Sequence, residues 1–286
     1  VRVGSGSNST VNLVGNVSVS NTGSSAYNRI YFYNSSNGTI DGTVTLNNSP
    51  VGNSGRIYMG NGSSSYVTFN SNVDIVNAGA GNTKQVYVGN QGDLTFNGNV
   101  SLSNTATANS SFCYFNHSSN SQNLYNGNLT IESYGTNCDG IQYGGGNGVG
   151  TLASGRTVSL GVNGFTDGHL YFRNFTQLGS TVQSITTTNN SRFENYNSTW
   201  NGNVSFYSPR IHTRQTTYNG ITYLEKTGSS NDASYGANVY NDDVTFKNSG
   251  TGYFMPTNNN ASDHNGNVTY IKTATGLIYP TYSSTS

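Results

Sequence analysis

The chain has 286 residues, with 45 Asn, 39 Ser, 34 Thr and 36 Gly, so more than half of it is small polar turn chemistry, and its 12 basic and 12 acidic residues balance to zero. Average soluble domains carry about a quarter charged residues, so this is no ordinary cytosolic enzyme, and the zero balance argues against nucleic acid and anionic bilayers as partners. Disorder is excluded too, because 21 Tyr, 12 Phe and frequent Val and Ile supply the aromatic and β-branched residues that disordered chains lack.

In chain order, a short alternating strand at Val17-Ser18-Val19 recurs as Val44-Thr45-Leu46, Val73-Asp74-Ile75, Val100-Ser101-Leu102, Leu129-Thr130-Ile131 and Val158-Ser159-Leu160, at intervals of 27, 29, 27, 29 and 29 residues. Turns such as Gly15-Asn16, Gly42-Thr43, Gly98-Asn99 and Gly127-Asn128 precede these strands. Their glycines are expected to supply the positive φ of a tight corner. A second strand follows about 13 residues later in each unit: Ile30-Tyr31-Phe32, Ile57-Tyr58-Met59, Val86-Tyr87-Val88, Cys113-Tyr114-Phe115, Ile141-Gln142-Tyr143 and Leu170-Tyr171-Phe172. Past residue 172 the motif continues at shorter intervals, through Gln177-Leu178-Gly179, Trp200 to Phe206, Tyr218 to Tyr223, Asp243 to Phe246 and Asn265 to Tyr270.

Period-2 alternation runs throughout, and no apolar pattern keeps helical spacing over ten residues. Units this short hold two or three strands and cannot make propeller blades of about 40 residues; they fit single coils of a β-solenoid. The predicted fold is all-β, a parallel β-helix of about eleven coils with 18–29 residues per coil. It runs as one segment over 1–286, with longer coils over about 1–175 and shorter ones over about 176–286. Asn, Ser and Thr at the corners are expected to form side-chain ladders. The start, Val1-Arg2-Val3-Gly4, has neither an initiator Met nor a signal-peptide pattern, so the chain reads as a mature product or a piece of a larger polypeptide. Cys113 and Cys138 lie about one coil apart with in-coil offsets differing by four residues, so buried thiols are expected ahead of a disulfide.

Enzymes on β-helices need carboxylates, or carboxylates with Lys, Arg and His, meeting on one face. Here the twelve carboxylates are dispersed, and only Asp242 and Asp243 adjoin; as strand neighbours they should point to opposite faces. The four His (His117, His169, His212, His264) fall in different coils without metal-ligand spacing. No enzyme activity and no resident cofactor are therefore expected. Calcium stays open as a ligand, with Asp242 and Asp243 the best candidates. The most informative pattern is a column: Tyr31, Tyr58, Tyr87 and Tyr114 recur at the coil interval between inward apolar residues. They should face outward, flanked by Arg29 and Arg56, with Gln85 and Lys84 extending the row. Such a column either contacts sugars or proteins or simply stabilises the sheet through cross-strand aromatic pairs. Thr-x-Thr rows that could order water are not seen, because Thr43-Val44-Thr45 and Thr186-Thr187-Thr188 do not recur in each coil.

The phrases Phe96-Asn97-Gly98-Asn99-Val100-Ser101-Leu102 and Trp200-Asn201-Gly202-Asn203-Val204-Ser205-Phe206 resemble repeats of giant secreted surface proteins of Bacteroidota. The segments Thr151 to Val158, Arg173 to Gly179 and Tyr223 to Gly228 share that resemblance. It implies tandem modules of long adhesins or cell-surface filaments exported by type IX secretion, and it supplies no catalytic residues. The expected role is thus a structural or adhesive module of an extracellular fibre that attaches to cells or surfaces. Its expected partners are neighbouring modules or identical subunits, with cell-surface glycans or proteins as further candidates. Two alternatives stay open: a carbohydrate-binding or carbohydrate-cleaving β-helix, and an ice-binding β-solenoid.

Overall fold

The computed structural model describes residues 2–3, 9–63, 65–108, 110–117 and 121–280. Val1 and Gly4, part of the chain start read above, lie outside them. Among the described residues there is no helix, and every strand pairing is parallel. The chain winds as a three-faced parallel β-helix.

The first face begins with Val17–Asn21, Val44–Asn48, Val73–Asn77, Val100–Asn104, Leu129–Ser133 and Val158–Phe165. It continues through Gln183–Thr186, Val204–Ser208, Thr222–Lys226, Val244–Asn248 and Val268–Lys272. These eleven strands bracket ten turns, about 48 Å at the usual interstrand spacing. The pairing Val17↔Val44↔Val73↔Val100↔Leu129↔Val158 is the one the sequence intervals predict. The second face comprises strands such as Tyr27–Phe32, Ser54–Met59, Thr83–Val88, Ser111–Phe115, Gly140–Tyr143, His169–Arg173, Arg192–Tyr196 and Ile211–Arg214. The third face has eleven strands, from Ser9–Thr10 to Asp263–His264.

Alternation decides what is inside. Strands on the first face read buried, half-buried, buried, so one residue in two fills a narrow core. Aromatic rings stack in register through it: Phe69, Phe96 and Tyr125 at 5.0 and 5.3 Å between centroids, and Phe115, Tyr143 and Phe172 at 4.6 and 5.3 Å. Burying one such side chain is worth about 1.5–3 kcal/mol.

The corners carry the ladders that the composition implies. Between the first and second faces, Asn21, Asn48, Asn77 and Asn104 are buried, and each amide donates to the next carboxamide oxygen at 2.9, 2.8 and 3.0 Å. Asn48, Asn77 and Asn104 also donate to the carbonyls of Gly55, Lys84 and Ser111. A half-buried ladder joins Asn34, Asn61 and Asn90, and an exposed one joins Asp41, Asn70, Asn97 and Asn126. Asparagine suits these places because one carboxamide both donates and accepts, so a single file of them satisfies itself.

The corner glycines have a different cause from the one expected. Gly15 has positive φ (101°), but Gly42, Gly98 and Gly127 do not. A Cβ on Gly42 would stand 2.1 Å from the Gly15 backbone, on Gly98 2.3 Å from Ser71, and on Gly127 2.1 Å from Gly98. Coil-to-coil stacking, rather than backbone twist, excludes a side chain there.

The first face changes sheet where the coil length changes. Ile131 pairs Leu160 but Ser133 pairs Phe165, so the intervening residues bulge outward and leave Val162 97% exposed. A single bridge, Phe165↔Thr187, then carries the face into the shorter coils. Cys113 and Cys138 are both free and buried, and burial pushes both thiols up.

Candidate functional site

On the second face, Ile30 and Phe32, Ile57 and Met59, Val86 and Val88, and Cys113 and Phe115 point inward. The intervening tyrosines are therefore outward and in register: Tyr31↔Tyr58↔Tyr87↔Tyr114. Their rings stack nearly parallel, with centroids 5.0, 4.7 and 5.0 Å apart. Each ring is half-buried. Because the π faces cover one another, the column offers its edges and hydroxyls outward rather than a flat stacking platform. His117 packs edge-on against Tyr87 and Tyr114.

Arg29 and Arg56 pair in the adjacent outward row, which Gln85 and Phe112 continue. Arg56 Nη1 donates to Tyr58 Oη at 3.4 Å, and Tyr87 Oη donates to Gln85 Oε1 at 3.0 Å. Lys84 does not extend the row. It has the opposite parity and is fully buried, and its ammonium donates to the carbonyls of Gly52 at 2.8 Å and Asn53 at 3.4 Å. Burial lowers its pKa.

The column does not end at Tyr114. The register continues Tyr114↔Gln142↔Tyr171↔Glu194↔His212, carrying it into a charged cluster that linear spacing hides. Arg192 forms an ion pair with Glu194 and a close contact with His212. His169 Nδ1 lies 2.6 Å from Tyr171 Oη and 3.9 Å from Glu194 Oε1. Fully buried Asp232 takes Arg210 Nε at 3.2 Å, the Ile211 N–H at 3.0 Å and His212 Nε2 at 3.1 Å. Burial, with the Arg192, Arg210 and His212 charges, holds His169 down at about 4. Burial also pushes the Glu194 carboxyl up, against the pull of Arg192, and burial and Glu194 push the Tyr171 hydroxyl up to about 12.

Beside this cluster runs an alternating cation and ring series. The Arg173 and Arg214 guanidiniums each sit 4.9 Å from the Tyr196 ring centre, and Arg214 is 5.1 Å from that of Tyr235. Register places Arg173, Tyr196 and Arg214 on successive coils. With Gln142, Tyr171 and Glu194 they line a groove of about 440 Å³. Seven of the chain's eight arginines (Arg2, Arg29, Arg56, Arg173, Arg192, Arg210, Arg214) lie in or directly beside the second-face strands. Four carboxylates share their surroundings: Glu194, Asp232, and the corner residues Asp139 and Asp167, which accept backbone N–H groups of Ser111 and Cys138. A chain of zero net charge thus carries a face with positive excess.

Sequence reasoning missed this cluster because it sought carboxylates and histidines by linear spacing. The Ile-Tyr-Phe phrase ends at Phe172, and the next second-face steps are 23 residues (Leu170↔Phe193) and 18 residues (Phe193↔Ile211). Alternation in Arg192-Phe193-Glu194-Asn195-Tyr196 is the signal that could have found it.

Asp242 and Asp243 are not on opposite faces of a strand. Both lie exposed in the corner before Val244–Asn248, and Asp243 Oδ1 accepts the backbone N–H of Asn267 at 2.8 Å and its side-chain amide at 3.0 Å. Among the described residues no three His, Cys, Asp or Glu side chains converge as a metal site. A threonine row does recur, on the third face: Thr39↔Thr68↔Thr95, then Thr151↔Thr176↔Thr199↔Thr217. It is single file, interrupted by Leu124 and followed by Val239. Two residues on from these threonines stand Asp41, Asn70, Asn97, Ala153, Leu178, Asn201 and Asn219, so the row lacks the second threonine file of a Thr-x-Thr lattice.

The chain matches no family model, no curated protein and no solved structure.

Proposed function

We propose that this protein is a rod-shaped structural and adhesive module of a larger extracellular bacterial fibre, with the second face as its contact surface. One observation carries the reading: the outward aromatic column and seven of eight arginines fall on a single face and extend over successive coils, whereas Ser, Thr, Asn and Asp dominate the others. Tyr and Arg are the residues enriched where proteins make contacts. The repeat architecture supports the same role, since coils that touch only their neighbours form a shaft that lengthens by adding units. Open ends expose unpaired strand edges, which neighbouring modules or identical subunits would cap. Resemblance of the repeat phrases to giant secreted adhesins points the same way. Binding, rather than cleavage, is the reading we favour because Glu194 and Asp232 are already paired with arginines.

The test is binding of purified protein to whole cells and a glycan array. A Tyr31→Ala, Tyr58→Ala, Tyr87→Ala variant that keeps its β circular dichroism should lose the cell binding seen with the wild type. If wild type binds and the variant binds equally, the column is only sheet stabilisation and the second-face reading fails there.

A further inference from the structure

We propose that the groove between Arg173 and Arg214 is a binding site for a uronate-bearing oligosaccharide, recognised through carboxylates at the two guanidiniums and hydroxyls at the groups between them. The proposal rests on the second face being the recognition surface, and it places the specific chemistry some distance along the rod from the tyrosine column.

Three features of the groove carry it. First, its cations are not committed: among the described residues, the five ion pairs leave Arg173 and Arg214 without a carboxylate, and Arg173 Nε makes no hydrogen bond. Their contacts are instead the Tyr196 and Tyr235 rings, which hold each guanidinium in place through cation–π attraction while leaving its edge N–H groups free for an acceptor. Second, the spacing is repetitive. Arg173 and Arg214 are two coils apart, about 10 Å at the interstrand distance, on an axis that an extended polymer can follow. A groove of about 440 Å³ falls within the range of small-ligand sites, about 300–1,000 Å³. Third, the groove is not uniformly cationic. Glu194 lies between the coils of Arg173 and Arg214, in the row of Tyr171 and His212, and Gln142 adds an amide. A phosphodiester chain has few hydroxyl donors to offer Glu194. A polyhydroxylated chain with carboxylates offers O–H donors to Glu194 and acceptors to Arg173 and Arg214. Tyr235, 48% exposed at the groove's end, presents an apolar ring to sugar C–H groups.

The experiment is titration calorimetry of the full chain with a galacturonate oligomer, a neutral galactose oligomer of equal length and a single-stranded oligonucleotide. Wild type should bind the galacturonate oligomer alone, more weakly as salt rises. Arg173→Gln and Arg214→Gln should each weaken binding about tenfold, the value of one hydrogen bond to a charged group. Arg214 is exposed, so its single variant keeps the test valid even if the Arg173 variant folds poorly. Equal binding of the neutral oligomer, equal binding of the oligonucleotide, or unchanged binding by the Arg214 variant would overturn the assignment. The tyrosine triple variant should bind the galacturonate oligomer like the wild type. Tyrosine-dependent cell binding without galacturonate binding would sink this site and leave the second-face reading standing.

Discussion

Asn77→Ala probes the device that ties the first and second faces together. Asn77 accepts from Asn48 Nδ2 at 2.8 Å and donates to Asn104 Oδ1 at 3.0 Å and to the Lys84 carbonyl at 2.9 Å, all in a fully buried setting. Three such bonds at about 1 kcal/mol net each make about 3 kcal/mol, and groups left unpaired away from water add to it. That is a large fraction of the usual 5–15 kcal/mol stability of a domain. Asn97→Ala removes a similar pair of ladder bonds, from Asn126 and to Asn70, both 2.9 Å, at an exposed corner where water takes their place. Its expected cost is below about 1 kcal/mol. Urea unfolding followed by far-UV circular dichroism measures both variants. Hydrogen exchange should localise the Asn77 loss to Val44–Asn48, Val73–Asn77 and Val100–Asn104. Equal costs for the two variants, or a cost under about 1 kcal/mol for Asn77→Ala, would refute the claim that burial makes the inner ladder the stronger one.

Gly127→Ala should destabilise by about 1–3 kcal/mol, because its Cβ would stand 2.1 Å from the Gly98 carbonyl oxygen with no positive φ to blame; an unchanged melting temperature would show that the coils can part. Stability should fall as pH drops from 6.5 to about 4, since across that window the unfolded chain takes up a proton that folded His169 refuses, and His264, also held down by burial, adds to the effect. Glu194 and Asp139 act with the opposite sign, because burial raises them and costs stability as pH climbs through their folded values. Thermal melts of wild type and His169→Gln separate these contributions; the variant should show the flatter acid limb, and an identical limb would count against a half-buried neutral imidazole. Phe96→Ala opens a hole in the Phe69–Phe96–Tyr125 stack and should cost about 3–5 kcal/mol in the same urea assay; a loss under about 1 kcal/mol would mean the core closes over it.

Much of the fold is legible in the sequence because strand alternation and the 27- to 29-residue interval are both covalent facts. The register from Val17 to Val158 and the tyrosine column follow from them directly. What was lost depends on phase. Lys84 stands one residue from Gln85, and a single step of parity takes it from the surface to the core. The Arg173–Tyr196–Arg214 series and the Glu194 cluster fall after the coil shortens, where a fixed interval no longer aligns neighbours. The third-face threonines were hidden for a related reason: one threonine per coil is visible only once the register is known. The corner glycines were found, but their cause, the approach of the neighbouring coil, is a three-dimensional fact.

The most direct test of the central claim, that contact belongs to the second face, compares two matched variants for cell and glycan-array binding. Tyr31→Ala, Tyr58→Ala, Tyr87→Ala alters the second face, and Thr68→Ala, Thr95→Ala, Thr151→Ala alters the third. Loss of cell binding in the tyrosine variant alone, with uronate glycans still bound, is the predicted result. Loss in the threonine variant alone would contradict the account and move the contact surface to the third face.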